Sequence, residues 1–291
     1  RTGELVRARE ILEGATADSP QKHYGLSLLA IAQGSHTTAR QELQAVLGGW
    51  DPVLRTYART LLAAYDEYAL FPESPEIHLV TLLSRALAQV QECELALPLL
   101  VQVLQEQDDY RDAWIVQGTC ELVTERTEGA LASFERAYAL DPEKPEIQYF
   151  LARTYAELDD HRNAITFLQY TLTNGFEPQA EVRKLLAREA VEAGDSALEL
   201  AQYEALLGME SADLTIFEKY ITLTITLGKN AEAYSVARMA SEKFPSEAKA
   251  WELLGWASDV TARKDEARSA LGKALELDPS LQSARDRLEK L

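Results

Sequence analysis

Apolar residues recur along most of this chain at intervals of three and four, which is the spacing of one face of an α-helix. Residues 248–281 carry two such faces in succession, formed first by Trp251, Leu254 and Gly255 and then by Ala267, Leu271 and Ala274. Asp278-Pro279 ends the second run, because proline cannot continue a helix and restricts the residue before it. This pattern predicts two antiparallel helices joined by a tight turn.

The small residues of this hairpin return with a fixed period. Pro279 follows Pro245 by 34 residues, and the same spacing of alanines precedes both prolines. Ala130, Ala137 and Pro142 repeat the arrangement further upstream. A fixed period of this length predicts a stack of helical hairpins in which each unit buries its apolar face against its neighbour.

The fullest version of the pattern lies in residues 111–144, which contain Trp114, Gly118, Ala130, Phe134, Ala137 and Pro142. This order resembles the tetratricopeptide repeat (TPR) family, whose unit is a 34-residue helical hairpin with the same signature. The resemblance implies an all-α fold, a right-handed superhelical solenoid of antiparallel helix hairpins. It also implies a concave groove lined by the first helix of each unit. The alanine-rich, lysine-poor composition indicates a bacterial source.

The predicted organisation has three parts. Residues 1–76 form divergent N-terminal repeats, and residues 282–291 form a C-terminal capping helix whose dispersed charges suit a solvent-facing end. Between them lie the TPR-like repeats of residues 77–281, with predicted boundaries at 77–110, 111–144, 145–178, 180–213, 214–247 and 248–281.

The N-terminal part departs most from the repeat. Residues 3–20 are typical of a second helix without a first one, on the spacing of Ala8, Leu12 and Ala15. Residues 52–70 predict one long unpaired helix, whose possible oligomer face consists of Tyr57, Leu61, Tyr65 and Tyr68. Tyrosines suit an interface, although ordinary packing against neighbouring helices explains them equally.

Two later positions also require an adjustment. Pro98 is compatible with the second helix of repeat 77–110 only if that helix begins near Leu95, which puts proline in the first turn. In repeat 180–213, Glu199 stands where the pattern has a small residue. We therefore expect the second helix of that repeat to pack in a shifted register.

The charge balance limits the class of partner. The chain has 47 acidic and 29 basic residues, for a formal net charge of −18. Because nucleic-acid binding needs basic patches, we do not expect nucleic acid as a partner of so acidic a chain. The same charge disfavours attraction to anionic membranes. No run approaches the ~20 apolar residues of a membrane span, and no signal peptide is evident. Because the sequence begins within a repeat, we expect a preceding anchor, signal or domain, and the compartment stays open between cytoplasm and periplasm.

No constellation of residues predicts catalysis. Cys93 and Cys120 have no metal-ligand spacing, and the four histidines are scattered singly. No phosphate-binding glycine loop and no nucleophile elbow occurs. We therefore predict a non-enzymatic protein with no cofactor and no metal.

The family resemblance maps a binding groove onto fixed positions of each repeat. The candidate groove residues are Ile115, Thr119, Tyr149, Phe150, Arg153, Lys184, Arg188, Lys219, Thr222 and Trp256. Five of them, Tyr149, Arg153, Lys184, Arg188 and Lys219, would form a basic and aromatic strip. Such a strip suits a protein or peptide with acidic side chains or a C-terminal carboxylate. Alternatively, the strip's charges only neutralise neighbouring Glu181 and Glu192 on a solvated face.

Three functions are compatible with these observations. The leading one is a non-enzymatic scaffold that binds a peptide or partner helix in the groove, within a larger assembly. The second is a recruiting or regulatory arm of a larger catalytic chain. The third is a self-assembling structural subunit that uses the helix at residues 52–70.

Overall fold

The computed structural model describes residues 2–14 and 18–291, and every regular element in these ranges is an α-helix. Ala15, which the sequence pattern assigns to the first helix, lies outside the described residues. In chain order the helices are α1 (Thr2–Gly14), α2 (Pro20–Ala32), α3 (His36–Leu47), α4 (Pro52–Ala69), α5 (Glu76–Gln89), α6 (Cys93–Glu106), α7 (Arg111–Val123), α8 (Thr127–Leu140), α9 (Pro145–Glu157), α10 (His161–Thr173), α11 (Gln179–Glu192), α12 (Ser196–Leu207), α13 (Leu214–Thr226), α14 (Asn230–Lys243), α15 (Ala248–Val260), α16 (Lys264–Leu277) and α17 (Gln282–Leu288).

Small residues at the helix crossings explain why the hairpins pack so closely. A Cβ atom added to Gly118 on α7 would lie 2.8 Å from the ring of Phe134 on α8. A Cβ atom on Gly255 of α15 would lie 2.5 Å from Leu271 of α16. Any larger residue at either glycine would therefore force the two helices apart.

The turn inside each hairpin has the same backbone form. One residue with positive φ follows the first helix, at Gln91, Glu125, Asp159, Gly194, Gly228 and Ala262. In the turns at Gln91, Glu125, Gly194, Gly228 and Ala262, the next amide donates to a carbonyl five residues earlier, as from Arg126 to Glu121 and from Arg263 to Ser258, both at 2.8 Å. This hydrogen bond closes the end of the first helix and reverses the chain direction.

The chain divides into two compact units, unit 1 (Arg1–Leu158) and unit 2 (Asp159–Leu291). The division falls in the turn after α9, within the predicted repeat 145–178, and the repeat boundaries themselves stay a prediction. The core of unit 1 is rich in leucine, with Leu43, Leu61, Leu83, Leu87 and Leu100 among its fully buried residues. In unit 2, alanines pack around larger anchors such as Phe217 and Leu253.

The long helix predicted at residues 52–70 is α4, and it packs between α3 and α5 inside unit 1. Leu61 and Tyr65 are buried in the core, and the Tyr68 hydroxyl donates to the carbonyl of Ser74 at 2.8 Å. The Tyr57 ring packs against Tyr24, with centroids 6.0 Å apart. The proposed oligomer face is therefore wrong for Leu61 and Tyr65, because burial in the chain's own core leaves neither side chain accessible.

Two details of the helices correct the sequence analysis. Helix α6 begins at Cys93, not near Leu95, so Pro98 lies in its second turn and removes one intrahelical bond, to the Glu94 carbonyl. Helix α12 shows no register shift. Its buried Tyr203 and Leu206 occupy the repeat positions that Ala237 and Ala240 occupy in α14.

Candidate partner-binding clefts

A cleft of about 310 Å³ lies in unit 1 on the side formed by α5, α7 and α9, the first helices of three predicted repeats. We call it the unit-1 cleft. Its lining residues are His78, Thr81, Leu82, Arg85, Tyr110, Arg111, Asp112, Ile115, Val116, Lys144, Glu146 and Phe150. Most of these residues are related by the repeat itself. Thr81 and Ile115 are equivalent in successive repeats, and so are Leu82, Val116 and Phe150.

The floor of the unit-1 cleft is apolar. Leu82 and Val116 are buried at its base, and Ile115 and Phe150 are half-buried beside them. The ring of Phe150 stacks on the buried ring of Phe134, with centroids 5.2 Å apart and an angle of 7° between the planes. This stack holds one face of Phe150 in place as a wall of the cleft.

The rim of the unit-1 cleft carries both signs of charge. The Arg111 guanidinium lies 2.7 Å from Asp141 and 2.9 Å from Asp112. Arg85 lies 2.5 Å from Glu67, and the Lys144 ammonium lies 3.7 Å from Glu146. These ion pairs hold the long basic side chains in place around the apolar floor. The basic side chains therefore present fixed hydrogen-bond donors, while the paired carboxylates offset their positive charge.

One wall of the unit-1 cleft is polar and partly buried. The His78 Nδ1 atom lies 2.9 Å from the hydroxyl oxygen of Tyr110. Burial and the nearby Asp112 carboxylate raise the pKa of Tyr110, while a hydrogen bond with Thr81 acts in the opposite direction. Tyr110 therefore stays protonated and can take part in hydrogen bonds at neutral pH.

A second cleft, the unit-2 cleft, has a volume of about 500 Å³ and lies along α13. Its lining residues are Glu199, Thr215, Glu218, Lys219, Thr222, Leu223 and Thr226. Burial raises the pKa of the Glu199 carboxyl, and the nearby Lys219 charge partly opposes this rise. Three threonines and one lysine of the same helix line this cleft, together with Leu223.

The structure brings only part of the predicted groove set into these clefts. Ile115 and Phe150 line the unit-1 cleft, and Lys219 and Thr222 line the unit-2 cleft. Thr119 instead donates its hydroxyl to the carbonyl of Ile115 at 2.8 Å.

The remaining predicted residues lie outside both clefts. Arg153 lies over the Tyr149 ring, 6.0 Å from its centroid, within unit 1. In unit 2, Lys184 pairs with Glu181 at 3.6 Å and Arg188 with Glu189 at 3.2 Å. The Trp256 ring is covered by the Arg287 guanidinium of α17, 4.1 Å from its centroid.

Several cleft residues escaped the sequence analysis because they do not lie on the groove positions taken from the family. Tyr110 and Lys144 are the last residues of repeats 77–110 and 111–144, directly before the next first helix. Their equivalent positions, one period apart, are the signal that could have identified them.

The described residues hold no group of three or more His, Cys, Asp or Glu side chains that could bind a metal ion. Cys93 and Cys120 are free and buried, and burial raises the pKa of both thiols. Among the described helices, none is both long enough and apolar enough to cross a membrane.

Comparison with known proteins agrees with this architecture. Two family models described as tetratricopeptide repeat match the chain, one over residues 124–189 and the other over residues 81–145 and 225–281. No curated protein matches the chain.

Solved structures share the fold at low sequence identity. The crystal structure of YrrB, described as a TPR protein with an unusual peptide-binding site, is 19% identical, covers 66% of this chain and 98% of its own, and has a TM-score of 0.53. The structure of Naa15/Naa10 bound to HypK-THB is 16% identical, covers 90% of this chain and 38% of its own, and also has a TM-score of 0.53. The chain belongs to the tetratricopeptide repeat family, whose members are typically non-catalytic protein-interaction scaffolds.

Proposed function

We propose that this chain is a non-enzymatic scaffold that binds a peptide or helix of a partner protein through the clefts on its first helices. The observation that carries the proposal is the apolar floor of the unit-1 cleft, which is accessible within a rim of fixed charges. A cleft of this form takes one apolar side chain as an anchor and orients the rest of the ligand through the rim.

The rim also suggests the composition of the ligand. Arg85 and Arg111 are held in place by carboxylates of the chain itself, and each guanidinium has more donors than these pairs use. Acidic groups of the partner on either side of the anchor would satisfy the remaining donors. We therefore expect a peptide with an aliphatic or aromatic anchor flanked by Asp, Glu or a terminal carboxylate.

A peptide-display selection on the full chain tests this function. We expect it to yield peptides with an apolar anchor and nearby acidic residues. The selected peptide should then bind the Ile115→Arg variant at least about tenfold more weakly, because a charged side chain would occupy the cleft floor.

Val123→Arg provides the matched control. Val123 lies on the same helix, is 62% exposed and does not line the cleft, so this variant should bind the peptide normally. Thermal unfolding of both variants checks that they fold. Equal affinity of the two folded variants would contradict the proposed site.

A further inference from the structure

The turn that connects α4 to α5, residues 70–75, exposes two adjacent apolar side chains. We call it the α4–α5 turn. Leu70 is 73% exposed and Phe71 is 54% exposed. Single exposed apolar residues are ordinary on a protein surface, whereas neighbouring ones are a feature of contact sites.

Hydrogen bonds hold the α4–α5 turn in one conformation. The Phe71 amide donates to the carbonyl of Tyr68, and the Ser74 amide donates to the carbonyl of Phe71, both at 2.9 Å. Pro72 occupies the second position of this four-residue turn, where its fixed φ is favourable. The Tyr68 hydroxyl closes the turn by donating to the Ser74 carbonyl at 2.8 Å. A turn that is already ordered loses little conformational entropy when it binds.

The composition of the α4–α5 turn matches the ligand that we expect for the unit-1 cleft. Its apolar pair is followed by the exposed carboxylate of Glu73. The cleft offers an apolar floor, and Arg111 and Lys144 lie on its rim. The turn therefore supplies an apolar anchor and an acidic group to a surface that can accept both.

The α4–α5 turn borders the cleft without filling it. The Phe71 ring meets the ring of His78 edge-on, with centroids 6.1 Å apart, and His78 lines the cleft. The 73% exposure of Leu70 shows that this side chain is not inserted into the cleft of its own chain. Because turn and cleft are neighbours, a two-fold axis beside His78 would place the turn of each copy on the cleft of the other. Both contacts would then belong to one closed interface.

We propose that the unit-1 cleft binds the α4–α5 turn of a second copy of this chain, which gives a two-fold dimer. Leu70 would contact Ile115 and Phe150 of the other copy, and Glu73 would face Arg111. This inference rests on the proposed function of the cleft and names a partner for it. A partner peptide and the turn would compete for the same cleft.

Sedimentation velocity of the full chain over a series of concentrations tests the dimer. We expect the molar mass to rise from that of one chain toward that of two. Leu70→Glu should weaken this association at least about tenfold, because it places a charge on the apolar floor. Val53→Glu is the matched control, since Val53 is a 55% exposed residue at the other end of α4, and it should leave the association unchanged.

A mixing experiment separates a contact between copies from a contact within one chain. Ile115→Arg should weaken the association as Leu70→Glu does, because it blocks the cleft instead of changing the turn. An equimolar mixture of the two variants should associate more strongly than either alone. In the mixed pair one native turn meets one native cleft, and the introduced carboxylate meets the introduced guanidinium.

A peptide with the sequence of residues 68–76, blocked at both ends, tests the contact without the dimer. Calorimetric titration into the Leu70→Glu chain, whose cleft is native, should show saturable binding. The same peptide with Leu70→Asn should bind at least about tenfold more weakly, because it buries an amide on the apolar floor. Equal affinity of the two peptides would overturn the proposal.

Three results of the sedimentation experiments would also overturn it. They are the mass of a single chain at every concentration, equal weakening by Leu70→Glu and Val53→Glu, and an association that Leu70→Glu removes but Ile115→Arg retains. If the display-selected peptide still bound the cleft in an Ile115-dependent manner, the proposed function would stand while this inference failed. If neither that peptide nor the turn depended on Ile115, both would fail.

Discussion

The unit-1 and unit-2 clefts lie on first helices of the same repeat type but differ in chemistry. At the repeat position where unit 1 places Val116 and Phe150, unit 2 places Lys219. One turn further, unit 1 has Arg85 where unit 2 has Thr222. The repeat therefore sets where a ligand can lie, and a few side chains at equivalent positions decide which ligand groups fit.

The two surfaces should also contribute differently to binding. Burial of apolar area in the unit-1 cleft gives about 25 cal/mol per Å² removed from water. Hydrogen bonds to the threonine hydroxyls of the unit-2 cleft replace bonds to water and give a smaller net gain. We therefore expect a ligand of the unit-1 cleft to gain more from burial of its apolar anchor than a ligand of the unit-2 cleft gains from its hydrogen bonds.

The largest expected effect concerns the support of the unit-1 cleft. Phe134→Ala should lower the free energy of unfolding by about 3–5 kcal/mol, because the ring is fully buried between Gly118 and Phe150. Chemical denaturation followed by circular dichroism measures this loss. Met239→Ala, at an exposed position of unit 2, serves as the control, and an equally small effect of both substitutions would show that the stack does not support the cleft.

The next largest effect concerns the affinity of the unit-1 cleft for its peptide. Phe150→Ala removes the aromatic wall of the unit-1 cleft and should weaken binding of the display-selected peptide about 30-fold, or about 2 kcal/mol. Calorimetric titration measures the change. Tyr170→Ala removes a 46% exposed aromatic side chain outside both clefts and should leave affinity unchanged. If Phe150→Ala bound the peptide as tightly as the native chain, Phe150 would not contribute to the affinity of the unit-1 cleft.

A smaller effect is expected in the unit-2 cleft. Lys219→Glu should weaken a peptide selected separately for the unit-2 cleft about threefold, because exposed charges are screened by water and salt. The effect should shrink at high salt. Lys229→Glu changes an exposed lysine that pairs with Glu232 outside the cleft, and it is the matched control. An equal loss after Lys219→Glu and Lys229→Glu would contradict a contribution of Lys219 to this cleft.

The smallest effect is the pH dependence that His161 of unit 2 gives to stability. His161 lies 2.8 Å from the buried Glu189, and this hydrogen bond raises the pKa of the histidine. Because the folded pKa is the higher one, the contribution to stability is complete below about pH 6.5 and is lost as pH rises through the folded pKa.

Thermal unfolding of the native chain and of His161→Gln, followed from about pH 5.5 to about pH 8.5, tests this dependence. We expect the difference in Tm to be larger at the acidic end. In the Glu189→Gln background the difference should vary less with pH, because only the charges of Glu192 and Asp159 then raise the pKa of His161. A Tm difference that grows toward alkaline pH would contradict the assigned interaction.

The repeat pattern predicted the helical fold because its small residues have a steric role that the sequence exposes directly. Gly118 and Gly255 lie at crossings that admit no side chain, and Ala130, Ala137, Ala267 and Ala274 are fully buried. The position of α6 was less predictable, because a helix that begins at Cys93 accepts Pro98 at the cost of one hydrogen bond.

The candidate site could be predicted only in part. Ile115 and Phe150 were identified because their side chains point from first helices at fixed repeat positions. The basic strip was not brought into one cleft, because Lys184 and Arg188 have acidic partners on their own helix. Such pairing depends on rotamers, which a repeat position does not specify. Trp256 was likewise covered by Arg287, from a helix that the sequence marked only as a cap.

A crystal structure of the full chain with the display-selected peptide tests the central claim most directly. We predict that one apolar side chain of the peptide contacts Phe150 and Ile115 at about 4 Å, with an acidic group of the peptide near Arg85 or Arg111. A peptide bound elsewhere, with no side chain on the floor of the unit-1 cleft, would contradict the claim.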